Sequence, residues 1–289
     1  MRGIYVPLVT PFDSSGRIDL PALDVVVESM LTSGVHGLVV CGTTGEGYAL
    51  TLEERRAVLG RVREVTAGRV PVIAGVGGSS TNEALDHAHL ARALEVDGIM
   101  VAAPAYCLPT SAELARHVQA VVDAADRPAV LYDYPARTGT SFTIETLDAL
   151  APDSRIVGIK EASGDTERVG EIMQRYSGTL TVVCGVDARA SYFLDARVDW
   201  WIGGIANLLP AAHVAILDTA TRAEAYAAVL PILEFIEAGN YISTIKAGMS
   251  LRGLDVGVPR RPLTPIDDAA RARLGELLDA AGPWAPSLT

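Results

Sequence analysis

The sequence predicts an α/β fold: a closed (β/α)8 TIM barrel with a helical appendage at its C-terminal end. Three observations predict it. Eight short apolar runs recur at regular spacing before residue 222. An amphipathic segment follows each run. The length, 289 residues, suits one barrel of roughly 250 residues with an extension.

The runs are Ile4–Thr10, Gly37–Cys41, Val70–Gly75, Gly98–Ala103, Ala129–Tyr132, Ile156–Lys160, Leu180–Cys184 and Val198–Ile202. Each is almost continuously apolar or β-branched, which suits parallel strands covered on both faces. A doubly wound open sheet is the alternative, but eight evenly spaced units favour closure.

The segments between the runs read as helices. Three open with a capping box, in which a hydroxyl caps the helix and a glutamate reaches back: Thr51/Glu54, Ser80/Glu83 and Thr110/Glu113. After Thr51, Val58, Leu59 and Val62 mark an apolar face, while Glu53, Arg56, Arg61 and Arg63 mark a solvated one. A fourth box, Thr221/Glu224, opens the material beyond the eighth unit. The expected division is therefore a barrel over 1–221, carrying the active site, and a helical region over 222–289. That region reads as helices at Arg222–Ala238, Tyr241–Leu254 and Asp267–Ala281, with Pro259 and Pro262 breaking the path.

Composition excludes several classes. Apolar residues make up 49% and charged residues 20%, enough for a large core. The net charge of −11 argues against nucleic acid and anionic membranes as partners. Cys41, Cys107 and Cys184 lie far apart, which excludes a disulfide scaffold and a CxxC site and suits the reducing cytoplasm. No signal peptide is expected at the N-terminus, and the most apolar stretch, Trp200 to Leu217, is interrupted by Asn207, Pro210 and His213.

Active sites of such barrels lie at the C-terminal strand ends. The polar residues expected there are Thr43 and Thr44 in the loop Gly42–Gly47, Tyr106 after the fourth strand, Tyr132 and Arg137 after the fifth, Lys160 ending the sixth and Gly185 after the seventh. Lys160 is one of only two lysines, with Lys246. An ammonium at the end of a core strand is expensive to bury, and barrels can use such an amine to form a Schiff base with a carbonyl. A salt bridge to Glu161 or another acid is the structural alternative. An unperturbed lysine is neutral only about once in 2,500 at pH 7, so desolvation must lower its pKa.

The Gly42–Gly47 loop offers backbone N–H groups and two hydroxyls as a cradle for a carboxylate or a phosphate. Tyr106 and Tyr132 can relay protons. Arg137, between Pro135 and Gly139, suits a carboxylate or a surface salt bridge. The five histidines, His36, His87, His89, His117 and His213, read as structural or solvent-facing. Gly75–Gly78 lacks the third glycine of a dinucleotide fingerprint, since position 80 is Ser80. A phosphate-binding barrel and an idle keto-acid-binding barrel remain as rivals of another class.

Taken together, these residues resemble the dihydrodipicolinate synthase/N-acetylneuraminate lyase superfamily, the pyruvate-dependent class I aldolases. The resemblance spans essentially the whole chain. It rests on Val6–Phe12, Gly42-Thr43-Thr44-Gly45-Glu46, Tyr132 through Gly139, Ile159-Lys160-Glu161-Ala162-Ser163-Gly164-Asp165 and Arg261-Pro262-Leu263. It implies that Lys160 forms the imine with pyruvate and that Tyr132 shuttles protons. Thr43 and Tyr106 would complete the relay, with Tyr106 reaching a neighbouring subunit's site. Thr44 would hold the pyruvate carboxylate, Gly185 and Ile202 would line the pocket, and Arg137 would bind the carboxylate of the second substrate. It also implies no metal or organic cofactor, and a homotetramer built as a dimer of dimers.

Within the superfamily, Pro135-Ala136-Arg137-Thr138-Gly139 looks like the synthases that use aspartate semialdehyde. Sialic acid lyases usually have Ser-Thr-Gly at Thr43-Thr44-Gly45 and lack the arginine. Three departures stand beside this likeness. Asp133 replaces the usual asparagine after the tyrosine. Asn240-Tyr241-Ile242-Ser243-Thr244-Ile245-Lys246 replaces Asn-Pro-x-Pro-x-Lys. Ala105 precedes Tyr106, and Leu52 stands at an allosteric histidine position, so lysine feedback is not expected. The alternative activity is that of a 2-keto-3-deoxy sugar acid aldolase or dehydratase.

Overall fold

The computed structural model describes residues 1–288. The strands are β1 (Gly3–Pro7), β2 (Gly37–Val40), β3 (Val72–Gly75), β4 (Gly98–Ala102), β5 (Ala129–Asp133), β6 (Ile156–Glu161), β7 (Thr181–Cys184) and β8 (Trp200–Ile202). They form a closed barrel in sequence order. The pairs β1–β2 and β3 through β8 are parallel. The (β/α)8 expectation therefore holds, and every expected run contains most or all of its strand.

Two compact units make up the chain: Met1–Val70 with the chain from Gly203 on, and Pro71–Ile202. In the first unit, β1 and β2 are wholly buried and Asn207 fastens β1. The Asn207 side chain accepts from Val9 N at 3.0 Å and donates to the Pro7 carbonyl at 2.8 Å. Beyond β8 come helices Pro210–Leu217, Arg222–Ala238, Tyr241–Leu251 and Asp268–Ala280, close to the expected ranges. In the second unit, the strands are covered by helices such as Thr81–Ala93, Ser111–Ala125 and Thr166–Arg175. Trp200 and Trp201 are both 1% exposed.

Capping was legible in part. Thr51/Glu54 and Thr110/Glu113 form complete boxes. Ser80 accepts from Glu83 N, but the Glu83 carboxylate takes the N–H of Ser79, at 2.7 Å, one residue early. Thr221/Glu224 is not a box. Thr221 has helical dihedrals (φ −109°, ψ −12°) rather than the extended ones a cap requires. Its hydroxyl donates to the Ala215 carbonyl at 2.7 Å instead.

Candidate active site

In the second unit, β5 and β6 pair Tyr132 with Lys160 and Asp133 with Glu161. Successive side chains on a strand point to opposite faces. Tyr132 and Lys160 therefore share one face, and their acidic followers share the other. The Lys160 Nζ lies 4.1 Å from the centroid of the Tyr132 ring. Lys160 is 6% and Tyr132 7% exposed.

Burial pushes the Lys160 ammonium down to about 8, against a smaller upward pull from Asp187. At that value about one amine in ten is neutral at pH 7. The expected structural alternative fails: Lys160 forms no ion pair among the described residues, and Glu161 pairs with Arg168. Alternation along the strand is the reason, because it turns Glu161 away from the lysine.

Arg137 is exposed, with its guanidinium carbon 5.4 Å from the Tyr134 ring centroid. It forms no ion pair among the described residues, so the surface salt bridge is not realised. Tyr106 is 97% exposed with a left-handed φ of 75°, beside Leu108, 60% exposed at φ 47°. Within one chain, then, Tyr106 is not enclosed by its own unit. Gly185 N donates to the Glu161 carbonyl at 3.0 Å, and a Cβ at Gly185 would lie 2.6 Å from that oxygen. Only glycine permits this approach of the β6 and β7 ends. Ile202 is fully buried at the end of β8.

Asp187, in the run Cys184-Gly185-Val186-Asp187 that the sequence places at the mouth, is a residue to which the sequence assigns no role. It is 2% exposed and accepts the Trp201 indole N–H at 2.7 Å. Arg168 is another. The available signals were an acid directly after Tyr132 and after Lys160 and an arginine in the next helix.

In the first unit, the loop after β2 turns sharply. Glu46 N donates to Thr43 O at 3.1 Å and Gly47 N to Gly42 O at 3.0 Å. The N–H groups of Thr43, Thr44 and Gly45 have no acceptor among the described residues, as an anion cradle requires. Thr44 is 5% exposed and Thr43 half-buried. Glu46 sits at a left-handed φ of 53°, a conformation that needs support. Lys246 supplies it with an ion pair at 2.7 Å, and Arg260 N donates to the same carboxylate at 2.7 Å. Lys246, 1% exposed, also donates to Thr10 O at 2.9 Å and lies over the Phe12 ring. The second lysine is thus a strut for the loop. Tyr241 also belongs near the loop: a Cβ at Gly204 would collide with both the Tyr241 hydroxyl and Thr44 Oγ1.

The model of the dihydrodipicolinate synthetase family matches residues 1–281. The chain belongs to that family. It is 35% identical over 283 residues to the 4-hydroxy-tetrahydrodipicolinate synthase of Exiguobacterium sibiricum, covering 96% of this chain and 97% of that protein. It is 35% identical over 288 residues to that of Sorangium cellulosum, covering 96% and 95%. Among solved structures, dihydrodipicolinate synthase from Acinetobacter baumannii, complexed with pyruvate, matches with a TM-score of 0.93 and 31% identity, covering 97% of this chain and 99% of that one. No helix among the described residues is long and apolar enough to cross a membrane.

Proposed function

We propose that this family member is a lyase that joins pyruvate to an aldehyde through an imine on Lys160, with aspartate semialdehyde the favoured aldehyde. One observation carries the reading: a buried lysine of pKa about 8, paired in register with a buried tyrosine at the ends of β5 and β6. Relatives named for this synthase activity support it.

The neutral Lys160 amine adds to the C2 carbonyl of pyruvate, and the carbinolamine loses water to give the imine. Loss of a C3 proton gives the enamine, whose carbon attacks the aldehyde carbon. Water, or an amine of the product, then releases Lys160. Tyr132 takes and returns the protons, with Thr43 and Tyr106 completing the relay. Thr44 and the free amides beside it hold the pyruvate carboxylate, while Gly185 and Ile202 line the pocket. Arg137, exposed and without a carboxylate partner, receives the carboxylate of the second substrate. No metal or organic cofactor takes part.

Tyr106 serves the site of a second copy, a role supported by its outward stance. The assembly is a homotetramer, although one structural relative, at 30% identity, is described as a monomeric variant. The cytoplasm is the proposed location, supported by cysteines that form no disulfide among the described residues.

A second reading, aldolase or dehydratase action on 2-keto-3-deoxy sugar acids, is favoured by Tyr241, which puts a further hydroxyl beside Thr44 in a segment that departs from the synthase motif.

The test is incubation with pyruvate and borohydride, followed by peptide mass spectrometry. A reduced pyruvyl adduct on Lys160, and none on Lys246, is expected. A folded protein without that adduct overturns the reading, and protection by phosphate would favour a phosphate site. An aldehyde screen then separates the synthase from the sugar-acid activity.

A further inference from the structure

The face of β5 and β6 opposite Tyr132 and Lys160 carries an arrangement that the proposed chemistry does not use. Asp133 and Glu161 are both fully buried there. A single guanidinium serves them both. Arg168 Nη2 donates to Asp133 Oδ2 at 2.8 Å, and Nε donates to Glu161 Oε2 at 3.0 Å. The same Nη2 donates to the Phe142 carbonyl. Ser141 Oγ donates to Asp133 Oδ2 at 2.8 Å, and Ser163 N donates to Glu161 Oε1 at 2.7 Å.

One side chain therefore fastens three pieces of backbone: the end of β5, the end of β6, and the segment after the Arg137 loop. The fastening is expensive. Two carboxylates share one cation, and Asp133 Oδ1 has no hydrogen-bond partner. Packed apolar residues would hold two strands together at lower cost. What the charged version adds is direction, because a guanidinium fork fixes two acceptors at set angles. Each acceptor belongs to the residue directly after one member of the reactive pair.

We propose that Arg168 is a positioning residue: through Asp133 and Glu161 it fixes the ends of β5 and β6 and so holds the Lys160 amine against Tyr132 in its water-poor setting. The proposal rests on the imine reading of Lys160. Loosening the clamp admits water to the amine and removes part of the desolvation that keeps it near neutrality.

The test compares wild type with Arg168→Lys, which keeps the charge and loses the fork, and with Asp133→Asn, which keeps an acceptor in place. The readout is the pH dependence of borohydride trapping of pyruvate, together with KM for pyruvate and the thermal midpoint. In Arg168→Lys, the inflection should rise by about one pH unit and trapping at pH 7 should fall about tenfold, with KM changed less than about twofold. Asp133→Asn should lose less than about threefold. If Arg168→Lys does not fold, the double variant Arg168→Gln/Glu161→Gln removes the fork and one buried charge together, with the same inflection shift expected. A variant with a lowered midpoint but an unmoved inflection and unchanged trapping per folded molecule overturns the positioning role. Wild type without an adduct on Lys160 overturns the imine reading, and this proposal with it.

Discussion

Lys160→Met should abolish the pyruvate adduct and, at neutral pH, make the protein more stable. The side chain is 6% exposed and its pKa falls from 10.5 to about 8 on folding, because burial disfavours the ammonium. Each pKa unit is worth ~1.4 kcal/mol, so the folded state gives up about 3 kcal/mol to keep that ammonium at pH 7. Methionine fills a similar volume without the charge. The pH dependence has a definite sign. Below about pH 8, both folded and unfolded wild type hold the proton, and the whole penalty stands. Between about pH 8 and 10.5, the unfolded chain binds more protons than the folded one. Wild-type stability therefore rises with pH relative to the variant. By the top of that range, the gap should have closed. Urea midpoints of the two proteins, measured side by side from pH 6.5 to 10.5, give the difference directly. A variant that is less stable at pH 7, or a gap that does not narrow above pH 8, would refute the desolvation argument and the neutral-amine chemistry built on it.

Arg137→Ala should cut turnover of an acidic aldehyde by at least about 100-fold, as expected for losing a charged partner. Pyruvate trapping should change little, and equal loss in both assays would remove the assigned role. Lys246→Met leaves Glu46 buried without its cation, so urea unfolding should show a loss of about 3–5 kcal/mol. An unchanged midpoint would contradict the strut. Gly185→Ala places a methyl 2.6 Å from the Glu161 carbonyl, so a loss of about 1–3 kcal/mol and weaker trapping are expected. Wild-type behaviour would mean that the strand ends can separate without consequence.

The sequence by itself determined the barrel and the strand positions, and it placed Tyr132 and Lys160 at strand ends. Strand identity is local: Ala129–Asp133 and Ile156–Glu161 are apolar runs, and it is the pairing of β5 with β6 that puts Tyr132 and Lys160 on one face and their acidic followers on the other. Two of the four expected capping boxes closed for the same reason, since a hydroxyl and a glutamate three residues apart need only the first turn of a helix. Thr221 failed because its hydroxyl found Ala215 O, a partner set by the path of the preceding turn rather than by the box pattern.

Only the tertiary structure decided how the charges were shared. Glu161 was adjacent to Lys160 in sequence, yet Arg168 took it. Lys246 lies 200 residues from Glu46, and no spacing rule links them. A long charged side chain pairs with whichever partner the packed backbone brings within about 3 Å. Burial then sets the strength of that pairing and the pKa that follows. The pattern of apolar residues thus fixed where the amine would stand, and the three-dimensional packing fixed what state it would be in.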